Sequence, residues 1–164
     1  MDIRKALTDA MEEYFNGDTK RINHARKVTE YAEKLIDLEK GDGVIVLGAS
    51  VLHDIGIHEA ERKYNSTAGK YQEIEGPPIA RSILNRLGFQ PEQIDEICNI
   101  IAHHHSPGII NTQNFKILYD ADWLVNLRDE YDIKDRQKLT NIIDRVFLTD
   151  TGKSMARAIY LGKH

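Results

Sequence analysis

The sequence predicts an all-α fold, and three observations carry that expectation. Apolar residues recur at three- and four-residue spacing through most of the 164-residue chain, no stretch alternates in the manner of a half-buried strand, and Gly or Pro signals separate the periodic runs. Hydrophobic residues make up 41% and charged residues 29% of the chain, the balance of an ordinary globular protein. A chain of this length is most simply one domain, residues 1–164, enclosing one core.

Composition also excludes several function classes. The net charge of −4 gives no extended surface for nucleic acid. Cys98 is the single cysteine and lies in an apolar run, so neither a disulfide framework nor a thiolate zinc site is expected. No apolar run approaches the roughly 18 residues of a membrane span, and Met1 to Lys5 lead into an amphipathic helix without an apolar targeting core. A reducing, cytoplasmic setting is the expectation. There is no internal repeat, no Gly-rich nucleotide loop and no Gly-x-Ser-x-Gly nucleophile elbow. The oligomeric state is unreadable.

Taken in order, Ile3, Leu7, Met11 and Phe15 mark a packing helix that Gly17 stops. Asp18 or Thr19 can cap a second helix, whose stripe Ala25, Val28, Ala32 and Leu35 faces a core and carries His24 at its inward edge. After Gly41-Asp42-Gly43 comes a helix apolar all round, with small residues Gly48, Ala49 and Ser50, that suits the middle of a bundle. It runs to His53-Asp54, with Gly56 placed to end it. From Ile57 to Gly76 the periodicity fails and the composition turns polar, which reads as a solvated loop or as a lid over a site. Arg62, Lys63 and Lys70 in that loop could donate to phosphate oxygens. Pro77-Pro78 would start the next helix, with Glu75 just before it, and Gly88 would stop it.

Pro91 opens another helix, with Ile94, Ile97, Cys98 and Ile101 as its stripe, which runs into His103-His104-His105 and the breaker Ser106-Pro107-Gly108. The stripe continues to His104 first and His105 next. Phe115 to Leu124 reads as helix, with Asp120 on its apolar face and Asp122 off it. A charge within an apolar stripe requires a partner. Two supporting helices, around Leu139 to Phe147 and Met155 to Leu161, fill residues 135–161.

Four helices thus each deliver one element to an inward face: His24, His53-Asp54, His104 and Asp120. Imidazole with carboxylate and no thiolate suits borderline-to-hard divalent ions such as Fe, Mn, Co, Ni, Zn or Mg, and bundle cores commonly host such sites.

With these residues in hand, the chain resembles the HD superfamily of metal-dependent phosphohydrolases, whose signature is a His, then His-Asp, then a distant Asp. The resemblance runs through Arg21-Ile22-Asn23-His24, Val51-Leu52-His53-Asp54-Ile55-Gly56, Ile100-Ile101-Ala102-His103-His104 and Leu118-Tyr119-Asp120-Ala121-Asp122, over roughly residues 18–128. It implies a compact multi-helix HD-domain bundle with the metal site at its centre. Dinuclear members hold a second metal with two further histidines. Here Glu75 stands where the first would fall and His104 where the second would. In the mononuclear nucleotidases of the superfamily, the histidine cluster would contact substrate instead. The cyclic-dinucleotide branch carries a lysine soon after His-Asp and a Gly-Tyr-Pro segment; this chain has Ile57 at the former position and lacks the latter.

The resemblance implies hydrolysis of a phosphate ester or anhydride of a nucleotide or similar small metabolite. His24, His53, Asp54 and Asp120 would hold one ion, and Glu75 and His104 a second bridged through Asp54, with Fe or Mn favoured. The ions would activate water and neutralise phosphoryl charge. His58, His103 or His105 could protonate the leaving oxygen. Two rivals stand beside this reading: a di-iron oxygenase of the inositol oxygenase type, and a non-catalytic nucleotide-binding module that keeps the fold.

Overall fold

A computed structural model of the protein describes residues 1–131 and 134–162. Among these the regular elements are all α-helices. In chain order they are α1 (Ile3–Phe15), α2 (Thr19–Leu38), α3 (Gly43–Leu52), α4 (Ile57–Tyr64), α5 (Gly69–Arg86), α6 (Pro91–His103), α7 (Gln113–Glu130), α8 (Arg136–Val146) and α9 (Asp150–Tyr160).

Side-chain caps start most of them. Asp2, Asp18, Asp42, Thr112, Asp135 and Thr149 each accept a backbone N–H in the first turn of the helix that follows, satisfying donors that have no partner within the helix. Gln90 and Gln93 make a reciprocal capping box ahead of Pro91. Asn16 adopts a left-handed conformation, φ 46°, to close α1.

The centre of the bundle is α3, which packs on α1, α2, α6 and α7. Seven of its ten residues are buried, and Gly48 lets α6 approach so closely that a Cβ there would lie 2.5 Å from Ile97 Cδ1. The span Gly43–Tyr64 is apolar enough to cross a membrane by length and composition, yet 67% of its most apolar window is buried in the protein, as befits a core element. Helix α7 is enclosed in the same way, between α2, α3 and α9, with buried residues all round it from Phe115 to Leu127.

The region read as a loop, residues 57–76, is mostly helical instead, with a short link at 65–68. Helix α4 is short, with only Ile57 and Ala60 buried, so it shows no sustained stripe. Helix α5 does not begin at Pro77: it starts at Gly69 and carries Pro77 and Pro78 in its interior. Neither proline donates, so two rungs of the helix are missing. Ile74 is exposed, and so is Pro78, so water is available on that side of the helix. Gly56 has φ −83°, not the left-handed geometry of a helix stop. Its lack of a side chain serves packing: a Cβ there would sit 2.5 Å from Gly76 N and 3.0 Å from Gln72 O, so α5 lies directly against the His53-Asp54 turn.

Candidate metal centre

The turn after α3 places His53 and Asp54 between α2, α6 and α7. His53 is fully buried, and its Nδ1 lies 2.8 Å from the Ser50 carbonyl. A carbonyl only accepts, so Nδ1 carries a proton and Nε2 points inward, where it can hold a second proton or a metal ion. That Nε2 faces three other electron-rich atoms: His24 Nε2 at 3.3 Å, Asp122 Oδ1 at 3.3 Å and Asp54 Oδ2 at 3.4 Å. His24 Nε2 in turn lies 3.0 Å from Asp122 Oδ1 and 3.3 Å from Asp54 Oδ2.

His24, His53 and Asp54 offer ligand atoms within 4.8 Å of one another, with Asp122 Oδ1 against both imidazoles, a donor set that suits a divalent ion. Ligands held about 2.0–2.1 Å from one centre stand about 3.0 Å apart when octahedral neighbours and about 3.4 Å apart when tetrahedral. The observed separations, 3.0–3.4 Å, span that interval. The electrostatics agree. Burial works against charge on His53, but the carboxylates of Asp54 and Asp122 outweigh it and hold the imidazole well above its ordinary pKa. Both carboxyls are held below theirs against their own burial, chiefly by His53. The cluster is built to surround a positive charge.

A second group shares Asp54. His104, 2% exposed, has Nδ1 2.7 Å from the Ile101 carbonyl, which leaves its Nε2 lone pair 3.3 Å from Asp54 Oδ1. His105 joins Asp54 and His104 within 4.8 Å, and its Nε2 lies 3.3 Å from Gln72 Oε1. Burial, with His104 adjacent, lowers the His105 pKa to about 4, so it is neutral at physiological pH.

Several sequence expectations are corrected here. Asp120 does not face the cluster. Its carboxylate accepts from Leu148 N (2.9 Å), Thr149 N (2.8 Å) and Thr149 Oγ1 (2.7 Å), tying α7 to the start of α9, while burial raises its pKa to about 6. Asp122, two residues on, occupies the place expected of it. Glu75 is bound to Lys63 Nζ (3.0 Å) and Tyr64 Oη (2.9 Å), and Gln72, one turn earlier on α5, is the residue that reaches His105.

His58 contacts Asp18 at 2.7 Å and packs edge-on against Phe15, away from the cavity, and His103 bonds the Asn99 carbonyl. Arg62 pairs with Glu59, Lys63 with Glu75, and Lys70 lies over the Tyr71 ring, so none of the three lines the site.

The cluster opens into a cavity of about 550 Å³. His24, Asp54, Asp122, Gln72 and His105 line its inner end. Lys20, Arg21, Asn23, Lys27 and Tyr31 from α2, Arg128, Asp129 and Glu130 from the end of α7, and Tyr160 from α9 supply most of the polar wall beyond it. Tyr160 is fixed by a hydrogen bond from its hydroxyl to the Leu124 carbonyl, with Arg128 over its ring at 5.7 Å. Sequence reading passed over the α2 residues. The signal was present, because Lys20 precedes His24 by four residues and Lys27 and Tyr31 follow it by three and seven, along one helical face.

Comparison with known proteins agrees with this geometry. The HD domain family model matches residues 21–146, a span that holds every residue of both histidine–aspartate groups. Among solved structures, the chain is similar to a predicted HD superfamily hydrolase from an uncultured Thermotogales bacterium. The two share 25% identity with a TM-score of 0.68 over 96% of this chain and 84% of that one. No curated protein matches. The match over well more than half its length shows that the chain belongs to the HD domain family, within a superfamily of metal-dependent hydrolases.

Proposed function

We propose that the protein is a metal-dependent phosphohydrolase that cleaves a phosphate ester or anhydride of a small metabolite such as a nucleotide. One observation carries the reading: the His24 and His53 imidazole nitrogens lie 3.3 Å apart and within 3.0–3.4 Å of carboxylate oxygens from Asp54 and Asp122, beside a cavity large enough for such a molecule. His24, His53 and Asp54, with Asp122 beside them, would hold one divalent ion. Asp54 Oδ1, His104 and His105 offer a second position. A bound divalent ion lowers the pKa of water and offsets charge on a phosphoryl group.

The chain's own residues supply the rest. The Ser50 and Ile101 carbonyls lock the tautomers of His53 and His104. Arg21 and the lysines of α2 orient the phosphate from the cavity wall. His105, neutral at physiological pH, is unsuited to protonating a leaving group. Glu130 lines the cavity, and partial desolvation together with the Asp122 carboxylate raises its pKa.

The test is metal content per chain, followed by phosphate release from a panel of phosphoesters by wild type and Asp54→Ala. The expected result is at least one bound ion and hydrolysis that disappears in the variant. A full metal complement in Asp54→Ala would overturn the reading.

A further inference from the structure

The cations around the cavity are not equivalent. Arg128 rests on Tyr160, and nearby cations off the cavity, Arg62 and Lys63, are paired with Glu59 and Glu75. Lys20 and Lys27 line the cavity and form no ion pair among the described residues. Both belong to α2, and they stand on either side of the metal-cluster residue His24. At a rise of about 1.5 Å per residue, Lys20 lies about 6 Å along the helix on one side and Lys27 about 4.5 Å on the other. Arg21 reinforces the Lys20 side. On the α7 part of the wall, Asp129 and Glu130 disfavour an anion, which leaves α2 as the anionic track.

Seven residues, about 10.5 Å along α2, separate Lys20 from Lys27, a spacing that suits a chain of phosphoryl groups better than a single one. We propose that the cavity takes an oligophosphate laid along α2, with anionic groups on both sides of the phosphorus at the metal cluster, held by Lys20 and Arg21 on one side and Lys27 on the other. Tyr31, one turn beyond Lys27, gives the track an aromatic end for the group esterified to the chain. This deepens the phosphohydrolase reading and rests on it for the position of the scissile phosphorus.

The experiment is calorimetric titration of the metal-loaded protein with inorganic tripolyphosphate and with orthophosphate, in wild type, Lys20→Ala/Lys27→Ala and Arg62→Ala, with bound metal measured after each run. Wild type is expected to bind tripolyphosphate at least about tenfold tighter than orthophosphate. The double variant should lose about tenfold for tripolyphosphate and less than about threefold for orthophosphate, and Arg62→Ala should lose nothing. Both lysines are exposed, and an unchanged helical circular dichroism spectrum checks the fold. Equal affinity for the two anions in wild type, or equal losses in the double variant and Arg62→Ala, would overturn the proposal. Lysine-dependent tripolyphosphate binding in a protein that takes up no metal and hydrolyses no phosphoester would uphold the track and overturn the phosphohydrolase reading instead.

Discussion

Asp120 and Asp122 lie two residues apart on one buried helix, and exchanging their roles would change the chemistry of the site, so separating them is the most informative perturbation. Asp122→Ala removes one of four groups that surround the cluster centre, leaving His24 Nε2 without its 3.0 Å neighbour. Loss of an outer-shell partner alone typically costs 10–100-fold in metal affinity, so loss of a direct ligand should cost at least about 100-fold. Asp120→Ala leaves the cluster intact and strips the acceptors from Leu148 N, Thr149 N and Thr149 Oγ1. Leu148 is partly exposed, so its amide can turn to water, but Thr149 is buried and its two donors are stranded. Each stranded donor costs about 1–3 kcal/mol. Removing a carboxylate whose pKa is raised to about 6 by burial also relieves part of the cost of burying that charge. The net loss should be about 2 kcal/mol, a fall in Tm of roughly 4–8 °C for a chain of this size. The assays are competition of each metal-loaded protein against a chelating dye, and thermal melting of the metal-free forms. Asp122→Ala should lose metal and keep its fold; Asp120→Ala should melt early and keep metal. An Asp120→Ala protein that melts normally and cannot bind metal would refute the assignment.

The remaining predictions follow from the same geometry. His53 has its pKa raised above 6.5 in the folded, metal-free protein, so its protonation stabilises that form fully below about pH 6.5, and the benefit is lost as pH rises through the folded value. Metal must expel the same proton, so apparent metal affinity should rise by about tenfold per pH unit between roughly pH 5.5 and 6.5; a flat profile would show that no proton leaves His53. Glu75→Gln should lower stability by about 1 kcal/mol through its contacts with Lys63 and Tyr64, with metal stoichiometry unchanged on elemental analysis. Gly56→Ala should cost about 1–3 kcal/mol on denaturant titration, because the added Cβ meets Gly76 and Gln72 backbone that cannot swing aside; a neutral result would mean that α5 has room to retreat.

Most of the helices were legible because their burial is one-sided. Stripes such as Ala25, Val28, Ala32 and Leu35 on α2, or Ile94, Ile97 and Ile101 on α6, announce both the helix and its inner face. The same logic fails on α7. That helix is enclosed on several sides, so Asp120 and Asp122 are both buried and a single apolar face cannot choose between them. The choice depends on the chain returning at Leu148 and Thr149 to supply Asp120 with donors, a contact that no local pattern encodes. Helix α4 and the first half of α5 were illegible for a different reason. Few of their residues face the core, and Pro77-Pro78 imitates a helix start while lying in a helix interior. Gln72 was hidden with them, although a single turn separates it from the more conspicuous Glu75.

The Asp54 carboxylate divides its two oxygens, Oδ2 towards His24 and His53, Oδ1 towards His104. One negative charge therefore serves both positions, and an ion settled at the first draws on the same electron density that the second requires. More groups surround the first position, whereas the second has that shared oxygen and the imidazoles of His104 and His105, with Gln72 contributing only an amide. The two should fill unequally and in order. If the protein holds metal as proposed, loading of the weaker position would follow the ambient metal level.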